Sequence, residues 1–124
     1  KGSECVLLVE DNDQGRHLAN AILNRQGYRV ILAKGGDEAI KALEQHDGPL
    51  HLLLTDVVMP GMNGKVLFEK ICKSYPDIKV LYMSGYTTNV IAHSGILDEG
   101  VQFIQKPFTV KGLAEKIRIV LDMN

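Results

Sequence analysis

Hydrophobic and polar positions alternate regularly along the chain. Short apolar segments are separated by longer segments in which apolar residues recur every three to four positions. The short segments are 5–9, 29–33, 50–55, 79–83 and 101–104. The first and third are apolar without alternation, which is what a strand covered on both faces requires. The pattern predicts five β-strands, each followed by a helix.

The longer segments have helical spacing. Their apolar positions are Leu18, Ala19, Ile22 and Leu23; Ala39, Ile40 and Leu43; Val66, Leu67 and Ile71; and Leu113, Ile117, Val120 and Leu121. The fourth helical segment, 87–100, has weaker spacing because Gly95 interrupts it, so we expect a short or mobile helix there. Strict alternation of strands and helices predicts an α/β domain, with helices on both faces of a doubly wound parallel sheet. In such a sheet the ligand site lies at the carboxyl ends of the strands.

Length and charge narrow the class of protein. The 124 residues suit one domain, 1–124, in which 1–4 are boundary residues or residues left from expression. Lys and Arg number 14 against 15 for Asp and Glu, which argues against direct nucleic-acid binding. No apolar run approaches the ~20 residues that span a membrane, so we expect no membrane contact by this domain. Because the chain lacks an initial Met and ends soon after its last helical segment, we expect a piece of a longer protein.

The cysteines and the basic residues near the carboxyl terminus have ordinary interpretations. Cys5 and Cys72 lack the spacing of metal ligands and lie among apolar neighbours, so we expect two buried, reduced thiols of a cytosolic protein. Lys111, Lys116 and Arg118 fall in the last helical segment, where they predict a solvated face.

Chemically active residue types stand at the predicted strand ends. They are Glu10 and Asp11 after the first strand, Asp56 after the third, Ser84 after the fourth and Lys106 after the fifth. Each has a structural alternative: Asp11, Asn12 or Asp13 could cap the first helix, Asp56 and Ser84 could be turn residues, and Lys106 could simply be exposed. Their joint placement at one edge of the sheet favours a site.

The charges at this edge indicate what such a site would bind. Two carboxylates about 4 Å apart repel by ~4 kcal/mol at an effective dielectric constant near 20, so three acids need a counter-charge or a proton. Lys106 supplies one positive charge, and a hard divalent cation such as Mg²⁺ would supply more. A cation, an ammonium group and a hydroxyl suit a phosphoryl group that a carboxylate attacks in line. These residues do not identify the attacking carboxylate.

Four segments carry a family resemblance that spans essentially the whole chain. They are 9–12 (VEDN), 54–64 (LTDVVMPGMNG), 83–86 (MSGY) and 105–108 (QKPF). In order and spacing they resemble the signature segments of response-regulator receiver domains of two-component systems. The resemblance implies a flavodoxin-like (βα)5 fold with sheet order 2-1-3-4-5, the order found in a chemotaxis member of this family.

The resemblance also assigns roles to residues. It implies that Asp56 is the phosphoacceptor, that Ser84 and Lys106 assist the transfer, and that Phe103 is an aromatic switch working with Ser84. The implied ligands of Mg²⁺ or Mn²⁺ are Glu10, Asp11, Asp56 and the main-chain carbonyl of Val58. The Lys106–Pro107 peptide bond would be cis. Phe103 could instead be a plain core residue, since it lacks the hydroxyl of the Tyr often found there.

The implied function is phosphoryl transfer within a phosphorelay. The donor would be the phosphohistidine of a sensor kinase or of a phosphotransfer domain, and phosphorylation would change the face around the fourth helical segment and the fifth strand. The isolated domain would be a cytoplasmic monomer or weak dimer. It would catalyse its own phosphotransfer and dephosphorylation but would not otherwise be an enzyme. The residues of the signature segments look most like those of receivers that form part of hybrid sensor histidine kinases. A free-standing single-domain regulator is the alternative.

Other classes fit less well, and the departures from the family pattern are small. A haloacid-dehalogenase-like phosphatase with Asp11 as nucleophile would leave Asp56 without a role, and the acids at 10–13 would repel a flavin phosphate. A degenerate receiver that only binds partners remains an alternative of another class. Glu10 replaces the commoner Asp. The resemblance places Val58 and Tyr86 beside the path of attacking water, where their bulk and lack of a base predict slow self-dephosphorylation.

Overall fold

The computed structural model describes residues 2–85 and 101–123. Its strands are β1 (Cys5–Val9), β2 (Arg29–Ala33), β3 (Leu52–Asp56), β4 (Lys79–Ser84) and β5 (Phe103–Gln105). Its helices in these ranges are α1 (Asp13–Arg25), α2 (Gly36–Glu44), α3 (Gly64–Cys72) and α4 (Val110–Leu121). The helix that we predicted over 87–100, together with Tyr86, lies outside the described residues.

The strands form a single parallel sheet in the order β2-β1-β3-β4-β5. This confirms the predicted doubly wound architecture. Val9 is aligned with Ala33 on one side and with Thr55 on the other, so β1, β2 and β3 end at nearly the same level. The winding direction reverses between β1 and β3, and the residues that follow these two strands therefore lie beside the crevice where ligands bind in such folds.

The core is divided between the two faces of the sheet. Val6 and Leu8 of β1 face α1 and α4, whereas Leu7 and Val9 face α2 and α3, because successive side chains of a strand point to opposite faces. Every residue of β1 and of β3 is buried. Burial on both sides explains why these two segments are apolar without alternation.

The structure corrects several boundaries. β3 begins at Leu52 rather than at 50, and β5 begins at Phe103 rather than at 101. Leu50 is buried and Val101 lies at the exposed edge of the sheet, so apolar character alone marks neither boundary. On α1, Leu18 is 52% exposed although it fits the helical spacing, because the buried side of the helix carries Ala19, Ile22 and Leu23.

Two further expectations are only partly right. Both cysteines are free thiols, but Cys72 is half-buried because it lies in the last turn of α3, at the edge of the core. Arg118 does not belong to a freely solvated face, since its guanidinium contacts Glu4 and Asp122. No helix within residues 2–85 and 101–123 has the length and apolar character needed to cross a membrane.

Candidate functional site

Residues from four strand ends meet at the carboxyl edge of the sheet. Glu10 directly follows β1, Asp56 ends β3, Ser84 ends β4 and Lys106 directly follows β5. The main-chain N–H of Lys106 donates to the carbonyl of Ser84 over 2.7 Å, which fixes the end of β5 against β4. Glu10, Asp56 and Ser84 are all at least 96% buried. Burial of two acids and a hydroxyl at one edge is not explained by turn formation.

The loop between β1 and α1 is held by a cap that leaves the acids available. Asn12 is the N-cap residue of α1, and its side chain accepts a hydrogen bond from the N–H of Gly15 at 2.8 Å. The N–H of Asn12 in turn donates to Glu10 Oε2 at 3.1 Å. We had considered Asp11, Asn12 and Asp13 as possible N-cap residues of the first helix, and the structure shows that the cap is Asn12. Asp11 is exposed at the edge of the site.

The loop between β3 and α3 approaches Asp56 closely. Asn63 caps α3 by accepting from the N–H of Val66 at 2.9 Å, and the N–H of Gly64 donates to the carbonyl of Val57 at 2.8 Å. A Cβ atom on Gly64 would collide with the carbonyl oxygen of Asp56, so only glycine allows this approach. Val58 is 50% exposed in this loop.

Lys106 stands between two buried carboxylates. Its Nζ lies 2.6 Å from Asp56 Oδ1 and also forms an ion pair with Glu10 Oε1. The other carboxylate oxygen, Asp56 Oδ2, is buried and has no hydrogen-bond partner within the described part of the chain. One carboxylate oxygen each from Glu10, Asp11 and Asp56 can be chosen so that all lie within 4.8 Å of one another.

The crowded acids shift each other's ionisation. Burial and the hydrogen bond with the Glu10 carboxyl raise the pKa of Asp56 to about 8, although Lys106 acts in the opposite direction. Burial also acts to raise the pKa of Glu10, but hydrogen bonds with Asp56 and Lys106 outweigh it and hold this pKa below its ordinary value. Two carboxyl groups in buried contact tend to share a proton and titrate as a coupled pair, and the opposite directions of the two pKa shifts make Asp56 the more readily protonated member.

The donor set fits a hard divalent cation. Carboxylate and carbonyl oxygens are the ligands that Mg²⁺ prefers, and a buried carboxylate oxygen without a partner is normally satisfied by water, an ion or a ligand. A cation would also replace the shared proton and favour ionised Asp56. The acidic group formed by Glu10, Asp11 and Asp56 can therefore hold a divalent cation, whereas the full ligand set that we predicted stays a prediction.

Ser84 and Phe103 occupy neighbouring strands of the same region. Ser84 is paired in register with Gln105 on β5, and Tyr82, two residues earlier, is paired with Phe103. Phe103 is half-buried and packs with Val57 and Tyr82 in a small cluster separate from the two main cores. The Lys106–Pro107 peptide bond is cis.

Comparison with known proteins identifies the family. The family model described as response regulator receiver domain matches residues 6–118. The chain is a member of this receiver-domain family. The prediction of a phosphoacceptor module of a two-component phosphorelay is thereby confirmed at the level of the domain, and such a receiver domain pairs with kinase or phosphotransfer partners.

Individual relatives of this receiver domain differ in their overall organisation. It is 38% identical over 121 residues to the sensor kinase CckA of Brucella abortus (strain 2308), covering 98% of the chain but 13% of that kinase. It is 32% identical over 117 residues to the response regulator receiver protein CpdR of the same organism, covering 94% of the chain and 95% of that protein.

Solved structures agree with the fold. The crystal structure of the receiver domain from the hybrid histidine kinase CckA matches with a TM-score of 0.79 and 36% identity, over 95% of this chain and 99% of that one. The Vibrio cholerae chemotaxis protein CheY4 matches with a TM-score of 0.82 at 23% identity, over 96% of this chain and 99% of that one, and supports the fold alone.

One buried charge at this edge of the receiver domain was not anticipated from the sequence. Arg16, in the first turns of α1, is almost completely buried; its Nη1 donates to the main-chain carbonyl of Glu10 at 3.0 Å and its Nη2 to Asp13 Oδ1 at 2.6 Å. The available signal was its spacing, since position i+3 from Asp13 on a helix permits an ion pair. Spacing alone could not show that the guanidinium turns inward toward the loop after β1.

Proposed function

We propose that this receiver domain takes a phosphoryl group from a phosphohistidine onto Asp56. The observation that carries the proposal is the buried Oδ2 of Asp56, which has no hydrogen-bond partner among residues 2–85 and 101–123, while the other oxygen contacts Lys106. A buried acceptor atom without a partner is costly, and it is explained if an ion or a phosphoryl group occupies the adjacent space during function. Glu10, acting through water, together with Asp11, Asp56 and the main-chain carbonyl of Val58, would hold Mg²⁺ or Mn²⁺.

The transfer is an in-line displacement. A carboxylate oxygen of Asp56 forms a bond to phosphorus while the bond between phosphorus and the histidine nitrogen of the donor breaks, and the departing imidazole takes up a proton. Lys106 Nζ, already against Asp56 Oδ1, offsets negative charge on the phosphoryl oxygens, and the Ser84 hydroxyl donates a hydrogen bond to one of them. A divalent cation held by Glu10, Asp11 and Asp56 would supply further positive charge to the phosphoryl group.

The response to phosphorylation would pass from Ser84 to Phe103. Ser84 ends β4, and Phe103 packs with Tyr82 of the same strand and with Val57, next to the phosphoacceptor. A change in the position of the Ser84 hydroxyl would therefore alter the packing around Phe103. The proposed readout is the face around the fourth helical segment and β5, part of which lies outside the described residues.

For the whole protein we propose a hybrid sensor histidine kinase in which this chain is the receiver. Support comes from the 38% identity to a sensor kinase and from the 36% identity to the receiver structure of a hybrid histidine kinase. A free-standing single-domain regulator is the second candidate, because CpdR is matched over 95% of its length. In either context the proposed location is cytoplasmic, and the isolated domain catalyses only its own phosphotransfer and dephosphorylation.

Intact-protein mass spectrometry tests the proposal. The chain, Asp56→Asn and the exposed control Asp47→Asn would be incubated with acetyl phosphate and Mg²⁺, with and without EDTA. We expect a phosphoryl adduct on the parent and on Asp47→Asn, absent from Asp56→Asn and prevented by EDTA. An adduct that persists on Asp56→Asn would make Asp11 the nucleophile. No adduct on any variant would favour a degenerate receiver that only binds partners.

A further inference from the structure

Arg16 connects helix α1 to the acidic loop after β1. Its side chain is 8% exposed, whereas the side chain of its ion-pair partner Asp13 is 71% exposed. An arginine could pair with such an acid from the surface, so the pair does not explain why the guanidinium is buried. The contact made at the buried end is the one from Nη1 to the main-chain carbonyl of Glu10.

That carbonyl belongs to the peptide group that joins Glu10 to Asp11. The N–H of Glu10 is held by the carbonyl of Ala33 at 3.1 Å, and the Glu10 side chain is held by Asn12 and Lys106. Because a peptide group is planar, fixing its carbonyl also fixes the direction in which the chain continues to the Cα of Asp11. Asp11 itself is exposed, so its carboxylate depends on the main chain for its position.

We propose that Arg16 is a positioning residue for the metal site: through the Glu10 carbonyl it sets the peptide plane that places Asp11 beside Asp56. The inference rests on the proposed metal-binding role of Asp11, Glu10 and Asp56. Arg16 contacts the main-chain carbonyl of Glu10 rather than a carboxylate of the acidic group, so it would act in the way that outer hydrogen-bond partners orient metal ligands.

Charge and position make opposite predictions for this arginine. As a positive charge near a cation site, Arg16 repels Mg²⁺, so removing the charge alone would tighten metal binding. As a positioning residue, it aligns a ligand, so removing it would weaken metal binding. The sign of the change in affinity therefore separates the two roles.

Calorimetric titration with MgCl₂ at fixed ionic strength measures that sign. The variants are Arg16→Met, which keeps the length without charge or donor, and Arg16→Lys, which keeps one charged donor. Asp13→Asn removes the surface pair while leaving the contact with Glu10, and Arg118→Met makes the same substitution in a guanidinium held by Glu4 and Asp122. Thermal unfolding in EDTA establishes that each variant is folded before its affinity is compared.

We expect Arg16→Met to bind Mg²⁺ about tenfold more weakly, Arg16→Lys to fall between it and the parent, and both controls to bind within about twofold of the parent. The Mg²⁺ concentration giving half the maximal rate of phosphorylation by acetyl phosphate should rise by the same factor. The maximal rate at saturating Mg²⁺ should change less, since Asp56 and Lys106 are intact.

The outcomes are distinct. Unchanged or tighter Mg²⁺ binding by Arg16→Met would overturn the positioning role, and equal weakening in Arg118→Met would reduce it to a general loss of stability. If Arg16→Met does not fold in EDTA, Arg16→Lys decides, because weaker binding by a folded variant of the same charge supports positioning and unchanged binding overturns it. If the parent chain does not bind Mg²⁺, the proposed function fails rather than this inference.

Discussion

The two edges of the sheet each place one basic side chain between two acidic ones. At the carboxyl edge, Lys106 lies between Glu10 and Asp56. At the amino edge, Arg118 of α4 lies between Glu4, which precedes β1, and Asp122, with Nη2 at 2.7 Å from an oxygen of each. Each cluster therefore combines one basic side chain with two carboxyl groups.

Their surroundings differ. The side chains of Glu10 and Asp56 are 2% and 6% exposed, whereas those of Glu4 and Asp122 are 23% and 63% exposed. At the amino edge, Arg118 donates to both oxygens of Glu4 and to Tyr28 as well, and its hydrogen bonds lower the pKa of Glu4 to about 2. At the carboxyl edge, burial raises the pKa of Asp56 to about 8 and Asp56 Oδ2 has no partner among the described residues.

The difference shows that the presence of ion pairs does not by itself reveal whether a cluster of charged residues binds a ligand or only stabilises the fold. The amino-edge cluster pairs its charges near water and links Glu4, which precedes β1, to the last turns of α4. The carboxyl-edge cluster confines charge at a cost in stability, which proteins tolerate where a ligand will later be bound. The following substitutions test this contrast.

Removing the basic residue should cost most at the carboxyl edge. In EDTA at pH 7, we expect Lys106→Met to lower the free energy of unfolding by about 3 kcal/mol, because buried Glu10 loses its counter-charge. Arg118→Met should cost about 1 kcal/mol, because water can solvate the acids it leaves behind. Urea unfolding followed by circular dichroism measures both losses.

Magnesium sharpens the same experiment. Saturating Mg²⁺ should recover much of the loss in Lys106→Met, since a cation replaces the missing positive charge, and should recover none in Arg118→Met. Equal losses in the two variants, or equal recovery by Mg²⁺, would show that the edges do not differ in the way their burial implies.

The fold was predictable because it depends on pattern. The mainly apolar segments 5–9 and 50–55, in which polar residues do not alternate, indicated strands covered on both faces, and the sheet order followed from the family resemblance. The placement of Glu10, Asp56 and Lys106 at one edge was predictable for the same reason, since parallel strands end together. The topology predicts which residues lie at an edge of the sheet, but it does not predict the contacts between their side-chain atoms.

Side-chain direction was not predictable from the sequence. Helical spacing grouped Leu18 with the other apolar positions of α1, but the side of the helix that buries Ala19 leaves Leu18 exposed. Arg118, which we predicted on a solvated face, donates instead to Glu4. Arg16 went unnoticed because its main partner is a backbone carbonyl, which every residue carries. Contacts with the main chain leave no residue-specific signal in a single sequence.

The lifetime of the phosphorylated state should depend on Val58, which is 50% exposed two residues after Asp56. We expect Val58→Asn to accelerate loss of the phosphoryl group about tenfold, because an amide can orient water that the apolar side chain excludes. Stability should change by less than about 0.5 kcal/mol at so exposed a position. Time courses of the adduct after removal of the phosphodonor measure the rate, and an unchanged rate would exclude Val58 as the cause of slow hydrolysis.

The smallest expected effect concerns acid stability at the amino edge. The pKa of Glu4 is about 2 in the folded chain against an ordinary value of 4.5, because Arg118 donates to its carboxylate. Since the unfolded chain takes up this proton at a higher pH, the stabilisation is complete above about pH 5 and is lost as the pH falls toward 2. Partial exposure of both side chains limits it to about 1 kcal/mol.

Urea unfolding at intervals between pH 7 and pH 2.5 isolates this contribution. The difference in stability between the parent and Glu4→Gln should shrink steadily over that range, while the difference between Arg118→Met and the double variant Glu4→Gln/Arg118→Met should stay near zero. Asp122→Asn is the matched control, because the other acid on Arg118 is more exposed and its removal should leave the acid dependence due to Glu4 in place. A parent–Glu4→Gln difference that does not depend on pH would mean that Arg118 holds Glu4 through geometry rather than charge, and the amino edge would then owe its stability to the same kind of contact that Arg16 makes at the other edge.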